Sequence, residues 1–128
     1  MNEDKERALE EKYPFMKNVY CECEDGWYEL LDELCAKIME VYRQCNLEPD
    51  IHVAQVKEKY GSLCFYYSFE NLAYDSEAAR LIQTVVDTYE RKSASVCRYC
   101  GKKGKTRQVR GWTVTLCEEC YDKETDRS

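Results

Sequence analysis

Two cysteine pairs near the end of the chain constrain the fold more than any other feature: Cys97 and Cys100 in C-R-Y-C-G, then Cys117 and Cys120 in C-E-E-C, with sixteen residues between the pairs. Side chains separated by two residues converge on one ion when the backbone makes a tight turn or opens a helix. Two such pairs complete a tetrahedral four-thiolate shell. The expected occupant is one structural Zn²⁺, with iron as the chief rival because four thiolates suit it as well. A thioredoxin-like redox centre uses a single CxxC at a helix start in a βαβ setting, which this pair of pairs does not match. Four protein ligands leave no open coordination position, so the site is expected to clamp the chain and not to carry a reaction.

The chain has 128 residues and nine cysteines. An odd cysteine count, a charged start (M-N-E-D-K-E-R-A-L-E-E-K) without an apolar signal segment, and paired CxxC units fit a reducing compartment; the expected location is cytoplasmic. No run of eighteen apolar residues occurs, so no membrane span is expected. Cys21 and Cys23 form a C-E-C that can join His52 in a second metal site, but Cys35, Cys45 and Cys64 offer no matching pair. Buried free thiols are the preferred reading for all five.

Helical spacing of Trp27, Leu30, Leu31, Leu34, Ile38, Met39, Val41 and Tyr42 predicts an amphipathic helix from Gly26 to Cys45, capped by Asp25 and ended by Asn46 and Pro49. Residues 51–69 predict a hairpin turning at Tyr60-Gly61; Lys59 opposite Ser62 then sets Val56 against Phe65 and Ala54 against Tyr67, with His52 near Phe69 on the core side. Asp75 or Ser76 starts a second helix running to about Lys92. Arg107 to Leu116 predicts another hairpin, turning near Arg110-Gly111, and the tail Y-D-K-E-T-D-R-S continues a short helix begun at Cys117. Residues 1–12 predict a short solvated helix interrupted by Pro14. The expected fold is α+β, with two helices packed on an antiparallel hairpin and a C-terminal four-cysteine zinc module. That module is treble-clef-like or a zinc ribbon, and Tyr121 in place of glycine after Cys120 favours the helix of a treble clef. The expected segments are 1–24 (charged), 25–95 (α-β-β-α body) and 96–128 (zinc module).

Charge divides unevenly along the chain. Residues 1–96 hold eleven Lys and Arg against twenty Asp and Glu, whereas residues 97–128 hold eight against five. Arg98, Lys102, Lys103, Lys105, Arg107 and Arg110, near Trp112, form a candidate nucleic-acid surface, since phosphate neutralisation beside an aromatic platform is how many small zinc modules hold DNA or RNA. Part of this charge also offsets a four-thiolate zinc site, which is itself net negative. The face of the first hairpin carrying Gln55, Lys57 and Tyr66, with Cys64 and Ser68, is the candidate protein-binding surface. A Cys64–His52 nucleophile pair is disfavoured because the register puts the two on opposite faces, and no phosphate-binding glycine loop or H-E-x-x-H occurs.

The strings D-G-W-Y-E-L-L at 25–31, Q-V-K-E-K-Y-G-S-L-C-F-Y at 55–66, and C-R-Y-C-G with G-W-T-V-T-L-C-E-E-C at 111–120 together resemble a family of small bacterial and phage-borne proteins without an established activity. The resemblance runs from about Asp25 to Cys120. It implies a compact α+β body joined to a zinc module and an origin in a phage or mobile element, and it carries no catalytic residues. The expected function is a non-catalytic interaction protein, phage-encoded and directed at a host protein such as a defence-system component. The alternative is a small DNA- or RNA-binding regulator using the basic zinc hairpin. An enzyme built along Gln55, Lys57 and Tyr66 is the third reading, disfavoured because those groups equally form a hydrogen-bonding surface.

Overall fold

A computed structural model describes residues 1–126, so Arg127 and Ser128 of the tail lie outside the described residues. The Asn2 side chain accepts from the Lys5 amide at 2.8 Å and opens helix α1, Glu3–Lys12, which stops at Tyr13 before Pro14. This helix is solvated on one side only. Leu9 is buried against the body, and the Tyr13 hydroxyl donates to the Asp32 carboxylate at 2.7 Å.

After a 3₁₀ turn at Pro14–Met16 the chain forms a short strand, β1 (Cys21–Glu22), which the spacing of apolar residues did not predict because two residues carry no periodicity. A second 3₁₀ turn, Asp25–Trp27, leads into α2, Tyr28–Gln44. Asp25 does not cap that helix. Its carboxylate accepts from the backbone and side-chain amides of Asn2, tying α1 to the turn. At the other end Asn46 takes a left-handed conformation (φ 56°), with Leu47 N donating to Tyr42 O and Asn46 N to Arg43 O, the paired bonds of a Schellman stop. Ser76 caps α3, Glu77–Lys92, by accepting from Ala79 N at 3.2 Å.

Strands β2 (Ile51–Lys59) and β3 (Ser62–Phe69) pair antiparallel across a Tyr60-Gly61 turn in which both residues have positive φ, the type I′ geometry that follows strand twist. The register is Lys59 to Ser62, Val56 to Phe65 and Gln55 to Tyr66. Beyond Gln55 it shifts: a bulge ejects Ala54 and places Val53, not Ala54, opposite Tyr67. The extra residue inverts the inward phase of the strand, so Ile51 and Val53 are buried while His52 is exposed opposite Ser68. Strand β1 adds to β2 in parallel, Cys21 beside Val56 and Glu22 beside Lys57, completing a three-stranded sheet ordered β1-β2-β3.

Helices α2 and α3 cover the face bearing Val56, Leu63 and Phe65, and the core gathers there around Trp27, Leu31, Leu34, Ile38 and Ile82. The outer edge of β3 is covered by side chains. Ser93 Oγ accepts from Leu63 N and Glu90 Oε2 from Phe65 N, both at 2.8 Å, which leaves those amides no capacity for another strand. No helix among the described residues is long and apolar enough to cross a membrane.

The C-terminal part consists of β4 (Lys105–Val109), β5 (Trp112–Leu116) and α4 (Glu118–Thr125), with a second type I′ turn at Arg110-Gly111. It docks on the body through hydrogen bonds that end on backbone carbonyls. Gly26 N donates to Arg98 O at 2.8 Å, the buried Trp27 indole donates to Val96 O at 2.9 Å, and Thr115 Oγ1 donates to Gly61 O at 2.7 Å. A methyl group on Gly26 would lie 2.3 Å from Cys97 O and 2.5 Å from the Arg98 carbonyl group. Both neighbours are main chain and cannot rotate away. Gly26→Ala is therefore expected to lower unfolding stability by about 1–3 kcal/mol in urea titrations of the metal-loaded protein, as overpacking does. Thr115→Val keeps the volume but strands the Gly61 carbonyl, at a cost of about 1–3 kcal/mol.

Candidate metal centre and the surfaces beside it

Residues 97–102 form a tight knuckle: Gly101 N donates to Cys97 O at 3.0 Å, Cys97 N to Lys102 O at 2.8 Å, and Gly101 takes φ 79°. Cys97 and Cys100 project from this loop. The other pair sits on a helix start, with Cys117 as the N-cap of α4 and Cys120 in its first turn, whose amide donates to Cys117 Sγ at 3.4 Å. Knuckle, hairpin and helix follow in the order of a treble clef; in a ribbon, Cys117 and Cys120 would sit on a second hairpin knuckle.

The four Sγ atoms all lie within 4.8 Å of one another, and Cys100 Sγ to Cys117 Sγ is 3.6 Å. A tetrahedral site with metal–sulfur bonds of about 2.3 Å has sulfur–sulfur edges of about 3.8 Å, so the donor set fits one four-coordinate ion. Burial raises Cys97, but the amides of Cys100, Cys117 and Tyr99 outweigh it and bring the thiol down to about 7. Cys100 and Cys120 are held up, first by burial. Coordination must displace those protons, which ties affinity to pH.

The remaining thiols do not assemble a second site. Among the described residues, Cys97, Cys100, Cys117 and Cys120 form the one group of three or more His, Cys, Asp or Glu with converging ligand atoms. Cys21 and Cys23 are buried, and burial pushes both up to about 12; His52 is exposed on the sheet's other side. The bulge brings His52 onto the same face as Cys64, but four residues along the sheet, roughly 13 Å at 3.3 Å per residue, so no nucleophile pair forms.

The basic residues fall into two groups. Three arginines are engaged by carboxylates: Arg98 with Glu58 at 3.0 Å and Glu24 at 3.9 Å, Arg107 with Glu118 at 3.5 Å, and Arg110 with Glu124 at 3.7 Å. Arg107 also lies 4.4 Å from the Tyr121 ring centroid and donates to Leu116 O. Lys102, Lys103 and Lys105 are exposed and form no ion pair among the described residues. Trp112 is exposed near the hairpin tip, separated along β5 from the strand position opposite Lys105. The fold thus holds the arginines as struts and leaves these three lysines without an ion pair among the described residues.

Gln55, Lys57 and Tyr66 do come together. They share the sheet face opposite the helices, with Lys57 Nζ 5.6 Å from the Tyr66 ring centroid and Gln55 Nε2 donating to Glu22 Oε2 at 3.3 Å. Gly26, Glu58 and Tyr60 are not among the site residues that sequence reasoning singles out. Glycine before an apolar helix was the available signal for the first; nothing local announced that Glu58 meets Arg98.

Comparison with family models, with curated proteins and with solved structures finds no match. The resemblance described above therefore rests on its motifs alone.

Metal analysis of the purified chain is expected to return one ion per chain, lost in Cys117→Ser together with hydrogen-exchange protection of β4 and β5 while α2 and α3 stay protected. Retained metal in that variant contradicts the assignment. Because the thiols must ionise to bind, affinity is expected to rise from pH 5 to pH 8, with protons released on loading.

Proposed function

We propose that this chain is a zinc-stabilised, non-catalytic interaction protein whose partner is another protein, bound on the open face of the three-stranded sheet. The observation that carries the reading is that face. Gln55, Lys57, Cys64 and Tyr66 form a mixed aromatic and polar surface on a sheet whose opposite side is the main core, so the surface is rigid and its side chains are pre-positioned. Tyr66 is 42% exposed, and Tyr20, just before β1, is 66% exposed. Tyrosine is enriched where proteins meet, because it supplies contact area at small entropic cost.

Zinc is the metal that best suits four thiolates in a structural role, and a shell closed by four protein ligands supports a non-catalytic reading. The motif resemblance supplies the setting of this proposal: a phage-encoded product in the host cytoplasm, directed at a host protein such as a defence-system component. A DNA- or RNA-binding regulator is the competing reading. It draws on Lys102, Lys103 and Lys105, and it loses Arg98, Arg107 and Arg110 to carboxylates.

Affinity purification from the natural host, with metal analysis on the same sample, tests the reading. Lys57→Ala and Tyr66→Ala are expected to weaken capture of the main partner by about tenfold or more without changing the melting temperature, as centrally placed contacts do. An unchanged partner profile removes this face from consideration. If nucleic acid is the target instead, binding falls steeply with salt, and neutralising Lys102, Lys103 and Lys105 together flattens that slope.

A further inference from the structure

Between the tips of the two hairpins runs a groove of about 480 Å³, lined by Glu58, Lys59 and Tyr60 on one wall and Trp112, Thr113 and Val114 on the other, with Arg98 and the Glu22 carboxylate completing it. Each wall is three consecutive strand or turn residues, so the groove is bounded by backbone as well as by side chains. In a hairpin with a two-residue turn, the pair flanking the turn is hydrogen-bonded and bonded pairs then alternate. Val109–Trp112 and Arg107–Val114 are such pairs in this register, and the amide and carbonyl groups of Thr113 and Thr115 consequently point away from β4. The Thr115 carbonyl shows that direction is used: it accepts from Arg98 N at 3.0 Å. Thr113 is the next outward position toward the tip, on the wall of the groove. Its hydroxyl is bound across the strand by Gln108 Nε2 at 2.7 Å, so the side chain is held off the edge.

We infer that this groove receives an extended segment of a protein partner, added as a strand along the free edge of β5 and continuing the backbone pairing begun by Arg98. The inference rests on the interaction-protein reading above and specifies a second contact for it. Strand addition draws affinity from main-chain hydrogen bonds and specificity from alternate side chains. Here the inward position lies between Tyr60 and Trp112, which are 78% and 74% exposed, and takes an apolar or aromatic side chain. Lys59 has its ammonium 5.8 Å from the Tyr60 ring and no ion pair among the described residues, so a carboxylate on the incoming segment is complementary beside Lys59, whereas one beside Glu22 is repelled. The β3 edge of the main sheet is less suited to the same role, since Ser93 and Glu90 occupy its Leu63 and Phe65 amides. The free edge is short, which keeps it from templating indiscriminate strand pairing.

The test uses peptides selected from a random twelve-residue display library against the intact, metal-loaded chain. Thr113→Pro removes the outward amide at a position where β4 does not need it, and proline is tolerated on such edges; Thr113→Ala keeps the amide. The expected result is a peptide that protects the Thr113 amide from hydrogen exchange, binds Thr113→Ala within threefold of the parent, and binds Thr113→Pro at least tenfold more weakly. Recovery of no peptide, or of peptides indifferent to Thr113→Pro, overturns the inference. Metal content and circular dichroism check that Thr113→Pro is folded. If it is not, the exposed pair Tyr60→Ala and Trp112→Ala decides: a tenfold loss sustains the groove, and unchanged binding rejects it. Loss of native partner capture in Lys57→Ala or Tyr66→Ala with no effect of the groove variants leaves the sheet-face reading standing and the groove rejected.

Discussion

The backbone of the first cysteine knuckle lies against Gly26 with no room for a methyl group between them, and the rest of the molecule is arranged around that contact. Gly26 N binds Arg98 O, and the adjacent Trp27 both fills the centre of the core and sends its indole N–H to Val96. A single turn thereby belongs to two structures at once. The C-terminal module has few apolar residues of its own, mainly Val114 and Leu116 beside Cys97 and Cys117, so it leans on this docking and on the four-cysteine cluster. Metal binding in small thiolate domains contributes on the order of 10 kcal/mol, enough to hold such a segment against chain entropy.

Charge reinforces the same seam. The body is acidic and the knuckle region basic, and Arg98 joins them by reaching Glu58 on β2 and Glu24 before the turn. Burial raises Glu58 above the ordinary carboxylate value and the neighbouring Glu24 adds to the rise, while the Arg98 guanidinium opposes both. The asymmetry between the two ends of the chain is thus partly consumed inside the molecule. Among the described residues, Lys102, Lys103 and Lys105 around the knuckle stay exposed without an ion pair, beside an acidic body surface. That balance is the electrostatic ground of the proposal of a protein partner: long-range repulsion from the body opposes a nucleic acid that the lysines alone would attract.

Much of this was legible in the chain. The helical periodicity of Leu30 through Tyr42, the Tyr60-Gly61 and Arg110-Gly111 turns, the Ser76 cap and the clustered cysteines all follow from local chemistry, and the structure has each of them. The misses are tertiary. Ala54 has a side chain small enough to be ejected as a bulge, and nothing nearby dictates that it is; the result flips His52 outward. Asp25 has the chemistry of a cap, yet Asn2, the cap of a helix twenty-three positions away, competes for it. The pairing of Arg98 with Glu58 spans forty positions, and spacing carries no information about such contacts.

Trp27 carries one more consequence, concerning the order in which the chain is completed. Its indole N–H lies in the main core, yet its acceptor is the carbonyl of Val96, sixty-nine positions later. A ribosome delivers residues in sequence, so while α2 and the sheet are already available to collapse, the buried donor at their centre has no partner. The nascent body must either leave that turn open or tolerate a buried unsatisfied N–H. Final closure of the Gly26–Trp27 turn therefore waits for Val96 and the knuckle that follows it, so the centre of the body is completed by the last quarter of the chain.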